Sequence, residues 1–239
     1  MKEYHFESID STSSYLKKNY KEYDNLTFVS SDFQTSGHGR YSRVWESKEK
    51  ENLLFSVLIK DKDLIGKYTS LSLFSAVAIY KVLDNFKLKN ISIKWPNDVY
   101  VNDKKISGVL LESVSFSNQI KALVIGVGIN VNSLIFSDEL KEKATSISLE
   151  LNETISINEV KDKVYYEFLK MFENVKKDNK SYLEVVRENN YLKGKSVYAN
   201  INNEKVLVEV IDINDDNSLK VKVGEEYHDL YSLEVTFAL

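Results

Sequence analysis

The 239-residue sequence has no cysteine, one proline, eight glycines, three histidines and two tryptophans. Without cysteine it can form no disulfide, no thiolate metal site and no thioester intermediate, so acyl transfer through a catalytic thiol is excluded. His5, His38 and His228 lie far apart and lack metal-ligand spacing. The serines are numerous, and nothing marks one of them as a nucleophile. No stretch approaches the ~18 apolar residues of a membrane span, and Met1 to Phe6 lack the apolar core of a signal peptide, so a cytoplasmic protein with no membrane partner is expected. The formal net charge of −4 gives no broad basic field, and no nucleic-acid partner is expected.

What is present is a 43% hydrophobic chain, long enough to bury a full core. Asp10 to Ser14 offer helix N-caps before Tyr15 and Leu16, so a first helix is expected to about Tyr23. Leu26 to Gln34 alternates like a strand, Gly37 to Glu46 reads as a loop, and Leu53 to Ile59 reads as a buried strand. Leu71, Phe74, Ala78 and Val82 recur at helical spacing within a buried helix from Lys67 to Phe86. Strands are expected at Ile91–Trp95, Tyr100–Val101, Ile106–Val114 and Ala122–Val131, with turns at Asn102–Lys104 and Ser115–Gln119. Helical periodicity returns at Glu159–Val175 and Tyr182–Leu192. Four short alternating runs follow: Val197–Ile201, Val206–Ile213, Leu219–Val223 and Leu230–Phe237. The pattern implies an α/β (α+β) fold with a curved mixed sheet over residues 1–192 and a small β-barrel over 193–239.

The scarce residues are concentrated. Pro96, both tryptophans and five of the glycines fall in four motifs: Gly37 to Trp45, Lys94-Trp95-Pro96-Asn97-Asp98, Lys104 to Glu112, and Gly126-Val127-Gly128-Ile129-Asn130. Alternating Gly37 and Gly39 allow turns that aim several N–H groups into one concavity, and Arg40 and Arg43 add cationic forks suited to phosphate or carboxylate. An ordinary hairpin with solvated arginines fits the same residues. Pro96 closes a strand so that Asn97 and Asp98 emerge at its end, where they can meet a ribose, an adenine or a hydrated Mg²⁺, while Trp95 is expected in the core. Lys105, three residues before Gly108, can neutralise a reacting carboxylate or be a solvated edge lysine. Gly126 and Gly128 weaken a strand, which implies either a β-bulge or something packed against bare backbone.

Taken in this order, the motifs resemble those of the biotin protein ligases. Ser11-Thr12-Ser13 is similar to that family's Ser-Thr-Asn opening. Gly37 to Trp45 is similar to its Gly-Arg-Gly-Arg-x-Gly-Arg-x-Trp loop, and Lys94 to Asp98 to its Lys-Trp-Pro-Asn-Asp motif. Lys105, Gly108 and Glu112 match its Lys-x-x-Gly-x-Leu-x-Glu strand, and Gly126 to Asn130 its Gly-x-Gly-x-Asn strand. The resemblance implies a class II aminoacyl-tRNA-synthetase-like catalytic domain with a C-terminal SH3-like barrel. It also implies two-step chemistry: biotin and MgATP give biotinyl-5′-AMP, and a lysine of a biotin carboxyl carrier domain then takes the biotinyl group. By the same resemblance Lys105 and Arg40 are catalytic, and Ser11, Thr12 and Gln34 bind the ureido ring. Gly108, Leu110, Gly126, Gly128 and Ile129 wall the thiophane ring and tail, and Gly37 and His38 complete the biotin site. Arg40, Arg43, Asn97 and Asn130 approach the nucleotide, Trp45 stacks on adenine, and Asp98 contacts Mg²⁺. No tightly bound protein metal is implied.

The sequence departs from the family at His38, which replaces arginine, at Tyr41 and Ser42, which replace Arg-Gly, and at Ser13, which replaces asparagine. The loop is therefore less cationic, and its grip on the adenylate is expected to depend on pH through His38. The first motif begins at Ser11, so a ligase without the family's winged helix and without a DNA-binding role is expected. The sequence leaves open a homodimer. A lipoate–protein ligase of the same fold and a noncatalytic adenylate-binding module are the alternatives.

Overall fold

The computed structural model describes residues 2–201, 204–231 and 237–238. Seven strands form the main sheet: β1 (Lys2–Ile9), β2 (Thr27–Gln34), β3 (Asn52–Ile59), β4 (Ile91–Lys94), β5 (Asp98–Val101), β6 (Lys104–Phe116) and β7 (Gln119–Asn130). Their order is β1-β2-β3-β7-β6-β5-β4. β1 pairs with β2 in parallel, and every other pairing in this sheet is antiparallel. The helices are α1 (Thr12–Asn19), α2 (Lys62–Ile65), α3 (Tyr68–Asn85), α4 (Ile147–Leu151), α5 (Ile157–Lys176) and α6 (Tyr182–Glu188). A second, antiparallel sheet holds β8 (Ser196–Ile201), β9 (Glu204–Ile213), β10 (Leu219–Val223), β11 (Glu226–Leu230) and β12 (Phe237–Ala238), in the order β11-β10-β9-β8-β12.

Alternation along β7 sorts its side chains onto two faces. Leu123, Ile125, Val127, Ile129 and Val131 join the large core under α3 and α5, whereas Ala122 and Val124 pack with Leu16 of α1, Val29 and Leu58 on the opposite face. β3 is buried along its whole length because both faces are covered. Ser156 caps α5 by accepting a hydrogen bond from the Glu159 amide, and Val160, Val164, Phe168, Met171 and Val175 recur at helical spacing to bury one side. There Phe28, Phe55, Tyr165 and Phe168 pack ring against ring, with centroids 4.3 to 5.5 Å apart along the chain of contacts. The second sheet is not separately cored: Val197, Val208, Val210, Leu219 and Val221 belong to the same apolar cluster as the main sheet. Polar ties reinforce the junction, with Trp95 Nε1 donating to the Asn217 carbonyl at 2.9 Å and Arg187 Nε to the Ile213 carbonyl at 2.8 Å.

The mixed sheet and the C-terminal β unit agree with the sequence reading, and four details differ. β1 was not expected, because an edge strand that is mostly exposed carries no apolar alternation. α1 stops at Asn19, whose side-chain amide donates to the Tyr15 carbonyl and closes the last turn four residues before Tyr23. A hairpin strand that was not expected lies at Glu226–Leu230, after a turn made by Gly224 at φ 61°; residues 232–236 of the strand expected at Leu230–Phe237 lie outside the described residues. The short helices α2 and α4 carried no usable periodicity. No helix among the described residues is long and apolar enough to cross a membrane.

α1 approaches the sheet at Gly126, and a Cβ placed there would overlap Ser13 Oγ, which hydrogen-bonds to Ser56 Oγ at 2.9 Å. Gly126→Ala is therefore expected to lower stability by roughly 1–3 kcal/mol through overpacking. Urea denaturation of the variant checks this, and an unchanged midpoint would show that α1 moves aside without cost.

Candidate functional site

The α1 face of β3, β7, β6 and β5 carries a cleft of about 350 Å³. Its floor follows the strand register. Ser56 of β3 faces Gly126 of β7, which faces Leu110 of β6; one row along, Leu54, Gly128, Gly108 and Asp98 are in register. The two rows are two residues apart, about 7 Å.

The first row is polar and uncharged. Ser11, Thr12 and Ser13 at the start of α1 are buried, and Ser11 caps the helix by accepting from the Ser14 amide. Thr12 donates its backbone N–H to Gln34 Oε1 at 2.8 Å and its hydroxyl to the same oxygen at 3.0 Å, and it shares a 2.7 Å hydrogen bond with Ser56. The second row is cationic. Lys105 Nζ lies 2.8 Å from Asp98 Oδ2 and 5.6 Å from the Trp45 ring centroid. Arg40 donates to Asn97 Oδ1 at 3.4 Å, and Asn97 Nδ2 donates to the Val109 carbonyl at 2.7 Å, so Asn97 ties the arginine to β6. Burial pushes the Lys94 ammonium down to about 8; Asp98 opposes the shift, and Lys105, Arg43 and Lys195 add to it.

Residues 37–45 form a small hairpin over this floor, closed by Trp45 N–H to the Gly37 carbonyl at 3.0 Å and Gly39 N–H to the Arg43 carbonyl at 2.8 Å. This corrects the expected N–H concavity: Gly39 keeps an extended backbone and spends its amide inside the hairpin, and Tyr41, at φ 56°, makes the turn. Gly37 serves close approach, since a Cβ there would come within 3.0 Å of the Trp45 carbonyl. The Trp45 indole packs closely over β7 and β6. A Cβ on Gly128 would come within 2.6 Å of its ring and one on Gly108 within 3.2 Å. The β6–β7 register runs evenly through both glycines and shifts only between Val114 and Ser115, so the glycines mark close packing and not a bulge. His38 Nε2 lies 3.5 Å from Glu112 Oε2, and Glu112 also pairs with Lys17 of α1.

Most residues expected from the sequence therefore meet. Ser11, Thr12, Gln34, His38, Arg40, Arg43, Trp45, Asn97, Asp98, Lys105, Gly108, Leu110, Gly126, Gly128 and Asn130 all line the cleft. Two do not. Ile129 points to the opposite face and is fully buried in the main core, as its odd position on β7 requires, and Gly37, at the base of the hairpin, is not among the lining residues. Asn130 is buried, its amide donating to the Thr145 carbonyl at 3.0 Å. The sequence reading missed Lys94 and Tyr100, whose places are set by strand pairing, and Phe136, Leu140, Lys143 and Ala144. The last four lie on an irregular segment with no periodicity, held to β6 by Lys105 N–H to the Lys143 carbonyl at 2.7 Å and Thr145 N–H to the Lys105 carbonyl at 3.0 Å.

Fold and cleft together define an α/β ligand-binding domain with an appended antiparallel β unit. The chain belongs to the biotin/lipoate A/B protein ligase family, whose sequence model matches residues 5–130, more than half of its length. The bifunctional ligase/repressor BirA of Bacillus subtilis is 38% identical over 106 residues, 44% of this chain and 33% of that protein. Biotin–protein ligase 2 of Arabidopsis thaliana is 33% identical over 129 residues, 52% of this chain and 39% of that protein. The alignments thus span little more than a third of these relatives. A solved structure of the biotin protein ligase from Aquifex aeolicus in complex with biotin and ATP has a TM-score of 0.86 at 27% identity, covering 99% of this chain and 98% of that one.

Lys94 gives a test that needs no ligand. Its folded value of about 8 lies below its ordinary 10.5, so between those pH values the unfolded chain binds more protons and stability rises with pH. Lys94→Met should flatten that rise. Urea midpoints of parent and variant at pH values of about 7.5 and 9.5 measure the difference; equal slopes would show that Lys94 is fully hydrated.

Proposed function

We propose that this chain is an ATP-dependent biotin–protein ligase that forms biotinyl-5′-AMP and transfers the biotinyl group to a lysine of a biotin carboxyl carrier domain. The observation that carries this reading is the polarity of one cleft, with buried neutral hydroxyls and Gln34 in one row and Lys105 and Arg40 in the next. Biotin has the same division, a neutral ureido ring at one end and a carboxylate at the other.

Ser11, Thr12 and Gln34 meet the ureido donors and acceptor without net charge. Leu110 and the faces of Gly108 and Gly126 flank the thiophane ring and tail, and Ile129 contributes only through its backbone. The carboxylate then comes to Lys105. One of its oxygens attacks the α-phosphorus of MgATP, the bond from that phosphorus to the oxygen bridging to the β-phosphorus breaks, and pyrophosphate leaves. Two anions must approach each other, so charge fixed in advance is the main requirement. Asp98 supplies it for Lys105 by holding the ammonium at the Gly108 row, and Asn97 supplies it for Arg40. Mg²⁺ enters as part of the substrate MgATP. Asp98, whose Oδ2 pairs with Lys105, is the carboxylate beside that ion. Trp45 offers its ring to the adenine, with Arg43 and Asn130 beside the nucleotide. In the second step the neutral amine of the acceptor lysine attacks the carbonyl carbon of the mixed anhydride, and AMP leaves.

Residues 1–192 form the catalytic unit and 193–239 the appended one in this reading, and the protein works in the cytoplasm without binding DNA. Pyrophosphate release from MgATP with biotin, with lipoate and with neither tests it. Release stimulated by biotin alone is expected; no stimulation by biotin at saturation would sink the reading, and stimulation by lipoate instead would make the chain a lipoate ligase. Lys105→Ala should slow adenylate formation by on the order of 10² or more while circular dichroism stays unchanged. A parental rate in the folded variant would reduce Lys105 to a surface lysine. Arg40→Gly should speed adenylate dissociation and biotinylation of bystander proteins more than it slows adenylate synthesis.

A further inference from the structure

We propose that Asn217, in the turn between β9 and β10, is a positioning residue for the first step of the reaction: through Trp95 it fixes the turn between β4 and β5, and so the places of Arg40 and Lys105. The proposal rests on the ligase reading above and gives the C-terminal β unit a part in that chemistry, through a residue that does not line the cleft.

Lys94 pairs with Asp98 at the base of the β4–β5 turn, which leaves residues 95–97 outside the ladder. The turn is held from two sides. Toward the cleft, Asn97 Nδ2 donates to the Val109 carbonyl at 2.7 Å, and the Val109 N–H donates to the Asn97 carbonyl at 3.0 Å. The same Asn97 side chain holds Arg40, and Asp98 holds Lys105 at 2.8 Å. Toward the core, Trp95 is buried and its Nε1 donates to the Asn217 carbonyl at 2.9 Å. That carbonyl is itself fixed. Asn217 has a left-handed backbone at φ 72°, its N–H donates to the Asn214 carbonyl at 3.1 Å, and the Asn214 N–H donates to the Ser218 carbonyl at 3.0 Å. Its side chain reaches two helices: Nδ2 donates to Ser70 Oγ of α3 at 3.0 Å, and Oδ1 accepts from the Tyr182 hydroxyl of α6. Tyr182 stacks on Phe74 of α3 with centroids 3.9 Å apart.

A buried indole N–H left without an acceptor costs free energy, so the Trp95 ring takes the orientation in which it meets the Asn217 carbonyl. The direction of residues 95–97 is then set by two anchors, Val109 on one side and Asn217 on the other. Without the second anchor Asn97 shifts, and Arg40 and the Asp98–Lys105 pair shift with it. Adenylate formation brings two anions together at those cations, where a small displacement costs rate. The ureido row is built from α1, β2, β3 and β7, on other elements than this turn, and keeps its geometry. The two rows therefore respond differently to a change at Asn217.

The test measures three quantities on the whole chain: biotin-dependent pyrophosphate release at saturating biotin and MgATP, biotin affinity by calorimetry, and the urea midpoint. Asn217→Gly keeps the left-handed backbone and the carbonyl but loses both side-chain bonds. It should lower kcat roughly tenfold while biotin affinity holds. Asn217→Asp tolerates the same backbone and can accept from the Ser70 and Tyr182 hydroxyls, so it should restore the parental kcat. Arg187→Met breaks a different tie at the same junction, the bonds to the Ile213 carbonyl and to Asp215, and should lower the urea midpoint with kcat unchanged. A parental kcat in Asn217→Gly overturns the proposal whatever the midpoint, since the tie is then only structural. An equal loss of kcat in Arg187→Met, an Asn217→Asp chain as slow as Asn217→Gly, or a loss of biotin affinity that matches the loss of kcat overturns it too. A parent without biotin-dependent release overturns the ligase reading and this role with it, whereas an active parent with an unaffected Asn217→Gly overturns the proposal alone. Should Asn217→Gly fail to fold, Tyr182→Phe, which keeps the ring on Phe74 and loses the hydroxyl, should show the fall in kcat with biotin affinity held; a parental kcat there overturns the proposal.

Discussion

Two bare positions on β7 set how closely three elements meet. At Gly126 the missing side chain lets Ser13 of α1 reach the sheet and bond to Ser56; at Gly128 it lets the Trp45 indole lie on the backbone. The sheet can give up these side chains because its other face carries the main core, where Val127 and Ile129 alternate with the glycines. A strand with one face devoted to stability and the other to close approach produces a cleft without an unstable floor. The hydroxyl row, the indole and the cations all take their positions from that surface.

Charge in the cleft is arranged by neighbours more than by number. The chain is acidic overall, yet Arg40, Arg43, Lys94 and Lys105 face one cavity. Asp98 pairs with Lys105, Asn97 holds Arg40, and Tyr100 holds Lys94. The neutral tyrosine orients that ammonium without cancelling its charge, which keeps the field available to an arriving anion.

The sequence disclosed this site better than it disclosed the fold's edges. Glycine, proline and tryptophan are scarce enough that their clustering carried meaning, and Lys105, Gly108, Gly126 and Gly128 do meet on adjacent strands. Strand parity would have excluded Ile129, since it alternates with the cleft-facing glycines. Other features had no signal in one dimension. β1 is a mostly exposed edge strand without apolar alternation, and the segment bearing Phe136 and Lys143 is irregular and tied to β6 by backbone bonds, which side-chain identity does not encode. Lys94 was given no role of its own, because its place in the cleft follows from the pairing of β4 with β5.

In the proposed ligase, ligand binds against the indole that packs on Gly108 and Gly128. Trp45 and Trp95 are the only tryptophans, and Trp95 is 2% exposed in the core. In Trp95→Phe the emission reports Trp45 alone. Adding biotin with MgATP should shift or quench that emission saturably, with the concentration dependence that calorimetry gives for binding. Emission that stays constant while calorimetry records saturated binding would place the ligand elsewhere and contradict the account.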